Sequence, residues 1–262
     1  MPYRAEAELA RDLAAQALDR ARAMQGRVGV RDKGGRLGPV TDADLAAERI
    51  LLEGLGRVHP GDAVLSEETH PRLRRSGSRL WCIDPIDGTR EYVDGLAEFA
   101  VQIGLLVEGQ PVAGALGLGS GEVFWGWSGG SCMVRDDRGD RAVTVPPPPP
   151  LPEAVAIHSR TRLGRRTADG LSRLGVARRL PAGGVGFKAM QILLGRAHVY
   201  LHYGSGTTWW DTVAPVAVFR AAGGAATDAA GDPDLYREDL RHRAGLLFAA
   251  PPRGARALPL LR

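Results

Sequence analysis

The reading of this chain turns on Leu80-Trp81-Cys82-Ile83-Asp84-Pro85-Ile86-Asp87-Gly88-Thr89. The first four residues are a short apolar run bounded by polar segments, the pattern of a buried strand. The run ends in two aspartates around a proline, with an exposed backbone carbonyl between them. Gly88-Thr89 can then open a helix, whose first N–H groups lack intrahelical partners and suit an anion. Two carboxylates and a carbonyl around one turn are oxygen ligands of the kind Mg²⁺ takes. An Asx-turn with helix capping is the commoner explanation of an isolated D-x-x-D. The full string from Asp84 to Thr89 is far more specific than that pair.

Towards the N-terminus, residues 4–25 are Ala-rich with Leu9, Leu13, Ala17 and Met24 near helical spacing, which predicts an amphipathic helix. Gly26 to Gly38 reads as a Gly-rich, charged loop. Residues 42–55 predict a second helix with Ala47, Ile50, Leu51 and Leu55 on one face. Thr41-Asp42-Ala43-Asp44 opens it, and a threonine with an acid three residues on resembles a capping box. Val64-Leu65 predicts a strand that runs into Ser66-Glu67-Glu68.

Towards the C-terminus, Phe99 to Val107 and Pro111 to Leu118 predict a hairpin around Glu108-Gly109-Gln110. Glu122 to Trp127 and Arg141 to Val145 add strands. Pro146 to Pro150 and Pro152 favour an extended polyproline segment and mark the clearest boundary, dividing residues 1–145 from 146–262. Beyond it come a strand (Ala154 to Ile157), helices (about Leu163 to Leu174 and Phe187 to Leu194), a strand (His198 to His202) and a helix (Asp211 to Ala222). This alternation reads as an α/β half. In Trp209-Trp210-Asp211-Thr212-Val213-Ala214-Pro215, Asp211 can cap the last helix and Pro215 sits in its first turn.

The composition narrows the classes. The 262 residues carry 34 basic and 30 acidic side chains, and the basic ones form no long block, so no nucleic-acid partner is expected. The longest apolar run, Phe99 to Val107, is interrupted by Gln102 and falls short of the ~18 residues of a membrane span. The N-terminus has no signal-peptide stretch, and Cys82 and Cys132 are too few for a disulfide framework, so a cytoplasmic protein is expected. Of the basic residues 32 are arginine and two are lysine, Lys33 and Lys188.

Taken together, Thr41-x-x-Asp44, Ser66-Glu67-Glu68, Asp84 to Thr89 and Trp210-Asp211-x-x-Ala214-Pro215 resemble the inositol monophosphatase superfamily of metal-dependent phosphatases. Gly61 to Glu68, Thr89 to Tyr92, Gly184 to Met190 and Ala197 to His202 further resemble its 3'(2'),5'-bisphosphate nucleotidases, the CysQ type of actinobacterial kind. The resemblance implies an α/β/α/β/α layered sandwich whose N-terminal half is α+β. It implies two Mg²⁺, one on Glu67, Asp84 and the Ile86 carbonyl, the other on Asp84, Asp87 and Asp211, with a third, weaker ion near Glu67. Asp44, Glu67 and Thr89 are the implied catalytic residues, Asp44 accepting a hydrogen bond from Thr89. Gly88, Thr89 and Asp211 would meet the substrate.

Arg162 stands where the nucleotidases usually have a histidine, and a second phosphate would suit its guanidinium. Lys188 falls at the family's phosphate-contacting lysine, a mobile point charge. The implied reaction removes the 3'-phosphate of 3'-phosphoadenosine 5'-phosphate to give AMP, clears a by-product of sulfate assimilation and is blocked by lithium. Water is expected to attack in line, with no phospho-enzyme. Inositol monophosphate or fructose 1,6-bisphosphate hydrolysis, and a non-catalytic phospholigand-binding protein, are the alternatives. Superfamily members are often dimers. His158, His198 and His202 lack zinc-ligand spacing, and Trp209 and Trp210 read as packing residues.

Overall fold

The computed structural model describes residues 2–27, 29–32, 39–69, 77–161, 163–204, 206–237 and 239–250. Helix α1 (Arg4–Met24) buries the small-residue stripe Ala7, Ala10, Ala14, Ala17 and Ala21 with Leu13 and Leu18. Part of the expected loop after it is an antiparallel ribbon, β1 (Val30–Asp32) with β2 (Pro39–Thr41). Lys33 lies outside the described residues. Helix α2 (Asp42–Val58) starts with both halves of a capping box: the Thr41 hydroxyl accepts from Ala43 and Asp44 N–H, and the Asp44 carboxylate accepts from Thr41 N–H. Such a cap stabilises a helix by about 1 kcal/mol.

Next come β3 (Ala63–Ser66), β4 (Arg79–Asp87), the short helix α3 (Thr89–Val93), β5 (Ala100–Val107), β6 (Gln110–Leu118), β7 (Val123–Trp127), β8 (Cys132–Asp136) and β9 (Gly139–Val143). Beyond the prolines follow β10 (Val155–Ser159), α4 (Arg165–Arg173), β11 (Arg178–Ala182), α5 (Val185–Leu193), β12 (Val199–His202), α6 (Val213–Ala221), β13 (Ala225–Thr227) and β14 (Leu246–Ala249). Strands β8, β11, β13 and β14 are additions to the sequence reading. β11 reads Arg-Arg-Leu-Pro-Ala and lies at a sheet edge, where a proline costs no ladder bond.

The first sheet has the order β3-β4-β5-β6-β7-β8-β9, the second β11-β10-β12-β14-β13. Helices α1 and α2 cover one face of the first sheet, α5 and α6 lie between the sheets, and α4 packs outside the second. The result is the expected α/β/α/β/α sandwich. Two glycines bring the middle layer close to the first sheet. A Cβ at Gly104 would lie 2.6 Å from Ala214 N, and one at Gly114 would lie 2.9 Å from its Cα. Helix α6 therefore starts almost in contact with β5 and β6, and the residues just before it hang over the end of β4. Among the described residues, no helix is long and apolar enough to cross a membrane.

Candidate active site

The site is built at the end of β4. Residues alternate along this strand: Trp81 and Ile83 enter the core under α1 and α2, Cys82 the core under α5 and α6. Asp84 therefore faces the middle helices. Asp87, three residues on, would face away in a regular strand, but the pairing with β5 is irregular between Asp84 and Asp87. That irregularity lets both carboxylates serve one side. Gly88 follows at φ 96°, where a Cβ would also lie 2.9 Å from the Glu98 carbonyl, so the turn into α3 requires glycine. Strand β3 runs parallel beside β4, and Glu67 N–H donates to the Ile83 carbonyl at 3.3 Å. This puts Ser66-Glu67-Glu68 at the same edge.

Asp84, Asp87 and Asp211 each bring an oxygen to within 4.8 Å of the others. Each is held by neighbours of its own. Asp84 accepts from Ile86 N–H at 3.1 Å, Asp87 from Gly186 N–H at 2.6 Å, and Asp211 from Thr208 N–H at 2.5 Å and its hydroxyl at 2.8 Å. Burial and mutual repulsion favour the protonated forms. Burial, then Glu67, Asp87 and Asp211, push Asp84 well above the usual carboxylate range. Burial raises Asp87 to about 6 against the pull of Lys188 and two backbone N–H groups, and raises Asp211, with Asp87 and Glu67, to about 7. Glu67 stands outside the close trio and acts on all three through its charge. Oxygen-only donors, buried and mutually repelling, fit a hard divalent cation, whose charge would reverse these shifts.

Other expected site residues lie around the trio, with some changes of role. Asp44 is buried at the start of α2 and bears electrostatically on Asp84. The Thr89 hydroxyl does not make the expected bond to Asp44. It donates instead to the Ile86 carbonyl at 2.9 Å, the acceptor three residues back in its own turn. Asp211 is not the cap of α6; Thr212 holds that position, and the Asp211 carboxylate closes the preceding turn through Thr208. Lys188 is not a mobile surface charge. It is 3% exposed, its ammonium donates to the Gly183 carbonyl and lies 5.2 Å from the Tyr200 ring. Burial lowers its pKa to about 8 despite Asp87, Glu91 and Asp211 nearby. Arg162 lies outside the described residues. Trp209 is a packing residue, edge-on to Tyr236, with its N–H donated to the Asp239 carbonyl at 2.9 Å.

Three side chains around the site escaped the sequence reading. Glu48 is buried and accepts from the Ser66 hydroxyl and, at 3.1 Å, from Thr69 N–H, which ties down the loop carrying Glu67. Its signal was an acid on the apolar stripe Ala47-Leu51-Leu55. Gln102 interrupts an apolar run and is fully buried beside Asp84. Glu98 pairs with Arg160 at 2.6 Å and accepts from Gly183 N–H at 3.1 Å, joining the strand ends of both sheets. No local pattern announces that pair.

Fold and site together define a layered α/β sandwich with a carboxylate centre suited to divalent cations, and its relatives by sequence are phosphatases. The chain belongs to the inositol monophosphatase family, whose pattern it matches over residues 3–256. It is 32% identical over 201 residues to the 3'(2'),5'-bisphosphate nucleotidase CysQ of Escherichia coli K12, covering 76% of this chain and 79% of the relative. It is 35% identical over 207 residues to a 3'-phosphoadenosine 5'-phosphate phosphatase of Mycobacterium leprae, covering 74% and 72% respectively. Among solved structures, CysQ from Bacteroides thetaiotaomicron superposes with a TM-score of 0.79 at 24% identity, over 95% of this chain and 98% of that one. An IMPase from Thermotoga maritima does so with 0.77 at 22%, over 92% and 91%. Both share the fold.

Proposed function

We propose that this phosphatase removes the 3'-phosphate of 3'-phosphoadenosine 5'-phosphate, releasing AMP and inorganic phosphate. The observation that carries the choice of substrate is the likeness to curated bisphosphate nucleotidases across about three quarters of the chain. In this reading Glu67, Asp84 and the Ile86 carbonyl hold one Mg²⁺, Asp84, Asp87 and Asp211 a second, and a weaker third sits near Glu67. Divalent ions held by these groups would supply a lowered pKa for the attacking water and neutralisation of the leaving oxygen.

The remaining work falls to this chain's own groups. Thr89, its hydroxyl proton held by the Ile86 carbonyl, orients the attacking water through its oxygen, and buried Asp44 adds its negative charge behind Asp84. The Gly88 and Thr89 amides, at the start of α3, hold the transferred phosphate. Arg162 and Lys188 meet the remaining substrate charge, so residues 1–145 carry most of the metal site and residues 146–262 most of the recognition. The two cysteines, buried and unbridged, accord with a cytoplasmic setting, and a role in sulfate assimilation follows from the likeness to CysQ. Lithium inhibition and a homodimer are further expectations of this reading.

The test is phosphate release, with Mg²⁺, from the adenosine bisphosphate, inositol monophosphate and fructose 1,6-bisphosphate. The reading expects the nucleotide to be preferred by at least about tenfold in kcat/KM, the discrimination that one well-placed charge contact supplies. Equal turnover of all three overturns the nucleotidase assignment. No turnover of any points to a phospholigand-binding protein. Single turnover in ¹⁸O-water is expected to label the released phosphate and leave the alcohol unlabelled.

A further inference from the structure

Gln102 is 0% exposed, yet among the described residues neither its amide nitrogen nor its amide oxygen has a hydrogen-bond partner. A buried amide left unpaired costs about 1–3 kcal/mol, so such a group needs an explanation. Its position supplies one. In the β4–β5 ladder Gln102 pairs directly with Asp84, and cross-strand partners share a face. Val101 and Ile103 on either side enter the core under α1 and α2, which turns Gln102 towards the middle helices with Asp84. Its amide ends against the start of α5. A Cβ at Gly186 would lie 2.5 Å from Gln102 Oε1 and 3.4 Å from Asp87 Oδ2, so the amide and the carboxylate crowd one point in space. A glutamine of this reach is flanked by both acids of Asp84-Pro85-Ile86-Asp87.

We propose that Gln102 is a positioning residue for Asp84 and Asp87, whose amide N–H is held in reserve for the ionised carboxylates. A cation at the trio requires these acids ionised, and an ionised carboxylate accepts hydrogen bonds more strongly than a neutral one. Rotation of the terminal amide presents its N–H to the carboxylates without any backbone movement. The unpaired amide then stabilises the loaded site at some expense to the unloaded fold. Ligand-supporting residues of this kind typically contribute 10–100-fold to metal affinity.

This inference rests on the proposed metal-dependent function, and one experiment separates the two. Mn²⁺ affinity is measured by titration calorimetry on the full chain, and the Tm of the metal-free protein by scanning calorimetry. Gln102→Met keeps the length and removes the polar atoms. It is expected to weaken Mn²⁺ binding about tenfold, while the metal-free Tm stays equal or rises. Gln102→Asn, which keeps the amide but withdraws it by one bond, is expected to weaken binding likewise. Affinity within twofold of wild type in both variants overturns the inference and leaves the proposed function standing. A wild-type chain that takes up no Mn²⁺ overturns both.

Discussion

Two sets of aspartates in this molecule behave in opposite ways. On the surface, Asp140 meets Arg135 at 2.7 Å, Asp136 meets Arg141 at 2.8 Å, and Asp232 meets Arg237 at 2.6 Å. Side-chain hydrogen bonds from the arginines lead the causes that lower Asp136 and Asp140, while the backbone N–H of Asp234, then Arg237, lowers Asp232. At the end of β4, burial comes first and the neighbours are mainly other acids, so Asp84, Asp87 and Asp211 move up. Among the described residues no arginine pairs with that trio; buried Lys188 is the cation that tempers it, helped by hydrogen bonds from Gly186, Val185 and Thr208. The near-neutral total charge is thus an average over paired acids outside and a self-repelling cluster inside. The cluster is set against folding and towards a cationic ligand.

The sharpest way to break this contrast is to neutralise one acid of each kind. Asp84→Asn is expected to lower kcat/KM by at least about 10³-fold, the scale seen when one member of a catalytic unit is removed. It is also expected to raise the Tm of the metal-free protein, because a buried repelling acid is gone, and to abolish the Tm increase caused by Mg²⁺. Asp232→Asn on the surface should leave activity and the Mg²⁺ response unchanged. Equal activity losses in both would mean that the trio has no privileged role.

Lys188 tests the contrast from the other side. Lys188→Met removes the buried cation that offsets Asp87 and Asp211. The Mg²⁺ affinity should rise, since a competing positive charge has gone. The kcat/KM for the bisphosphate should fall about 10–100-fold, as a charged contact contributes about 1.5–3 kcal/mol. Calorimetry and steady-state kinetics read the two effects separately. A fall in both quantities would instead make Lys188 a support of the metal site.

The two kinds of acid also give opposite slopes of stability against pH. Asp87 and Asp211 have folded-state values of about 6 and about 7, above their unfolded values. Their contribution is fully present below about pH 4 and is lost as pH rises through 6 and 7, because the folded state then binds the extra protons. The surface acids, lowered in the folded state, contribute stability above about pH 4 that is lost on acidification below it. The Tm of the metal-free protein is therefore expected to fall between pH 5 and pH 8 and Mg²⁺ to offset that fall, with tighter binding as pH rises. A metal-free Tm that climbs steadily over this interval would contradict the raised values.

How much of this was legible in the sequence follows from the same division. The strings Asp84 to Thr89, Ser66-Glu67-Glu68 and Trp210-Asp211 carry acids where a fold needs none, and the structure gathers three of those acids in one place. The helices and the central strands were legible from their apolar residues: the period of Ala7 to Ala21 in α1, and the apolar runs of β6 and of β5, the latter interrupted at Gln102. Strand β11 lacks that signal, since most of Arg178 to Ala182 is exposed and two of its five residues are arginines. Gln102 and Glu48 were missed for the converse reason: each is a polar residue on an apolar stripe, and its purpose shows only when the facing element is in place. The Thr89 hydroxyl's choice of Ile86 over Asp44 depends on turn geometry that no motif spells out.

Glu98 lies between the two kinds of acid and supports the finest prediction. Like the surface aspartates it holds an arginine, Arg160, with side chains 25% and 39% exposed respectively. Unlike theirs, its backbone partner lies at the site: it accepts from Gly183 N–H, beside Gly184, where a Cβ would lie 2.6 Å from Asp87 Oδ2. The pair therefore steadies the turn that delivers the Gly186 N–H to Asp87, and its loss should be felt at the site more than in the fold. Arg160→Ala is expected to cost at most about 1 kcal/mol of stability, as for other solvent-exposed ion pairs. In kinetics it should raise KM for the bisphosphate by less than about fivefold, the equivalent of that energy, with kcat nearly unchanged. Glu98→Gln keeps the acceptor for Gly183 while dropping the charge, so it should match Arg160→Ala in stability and exceed wild type in KM by less. If instead Glu98→Gln costs more KM than Arg160→Ala, the carboxylate meets the substrate's surroundings directly and belongs with the inner acids.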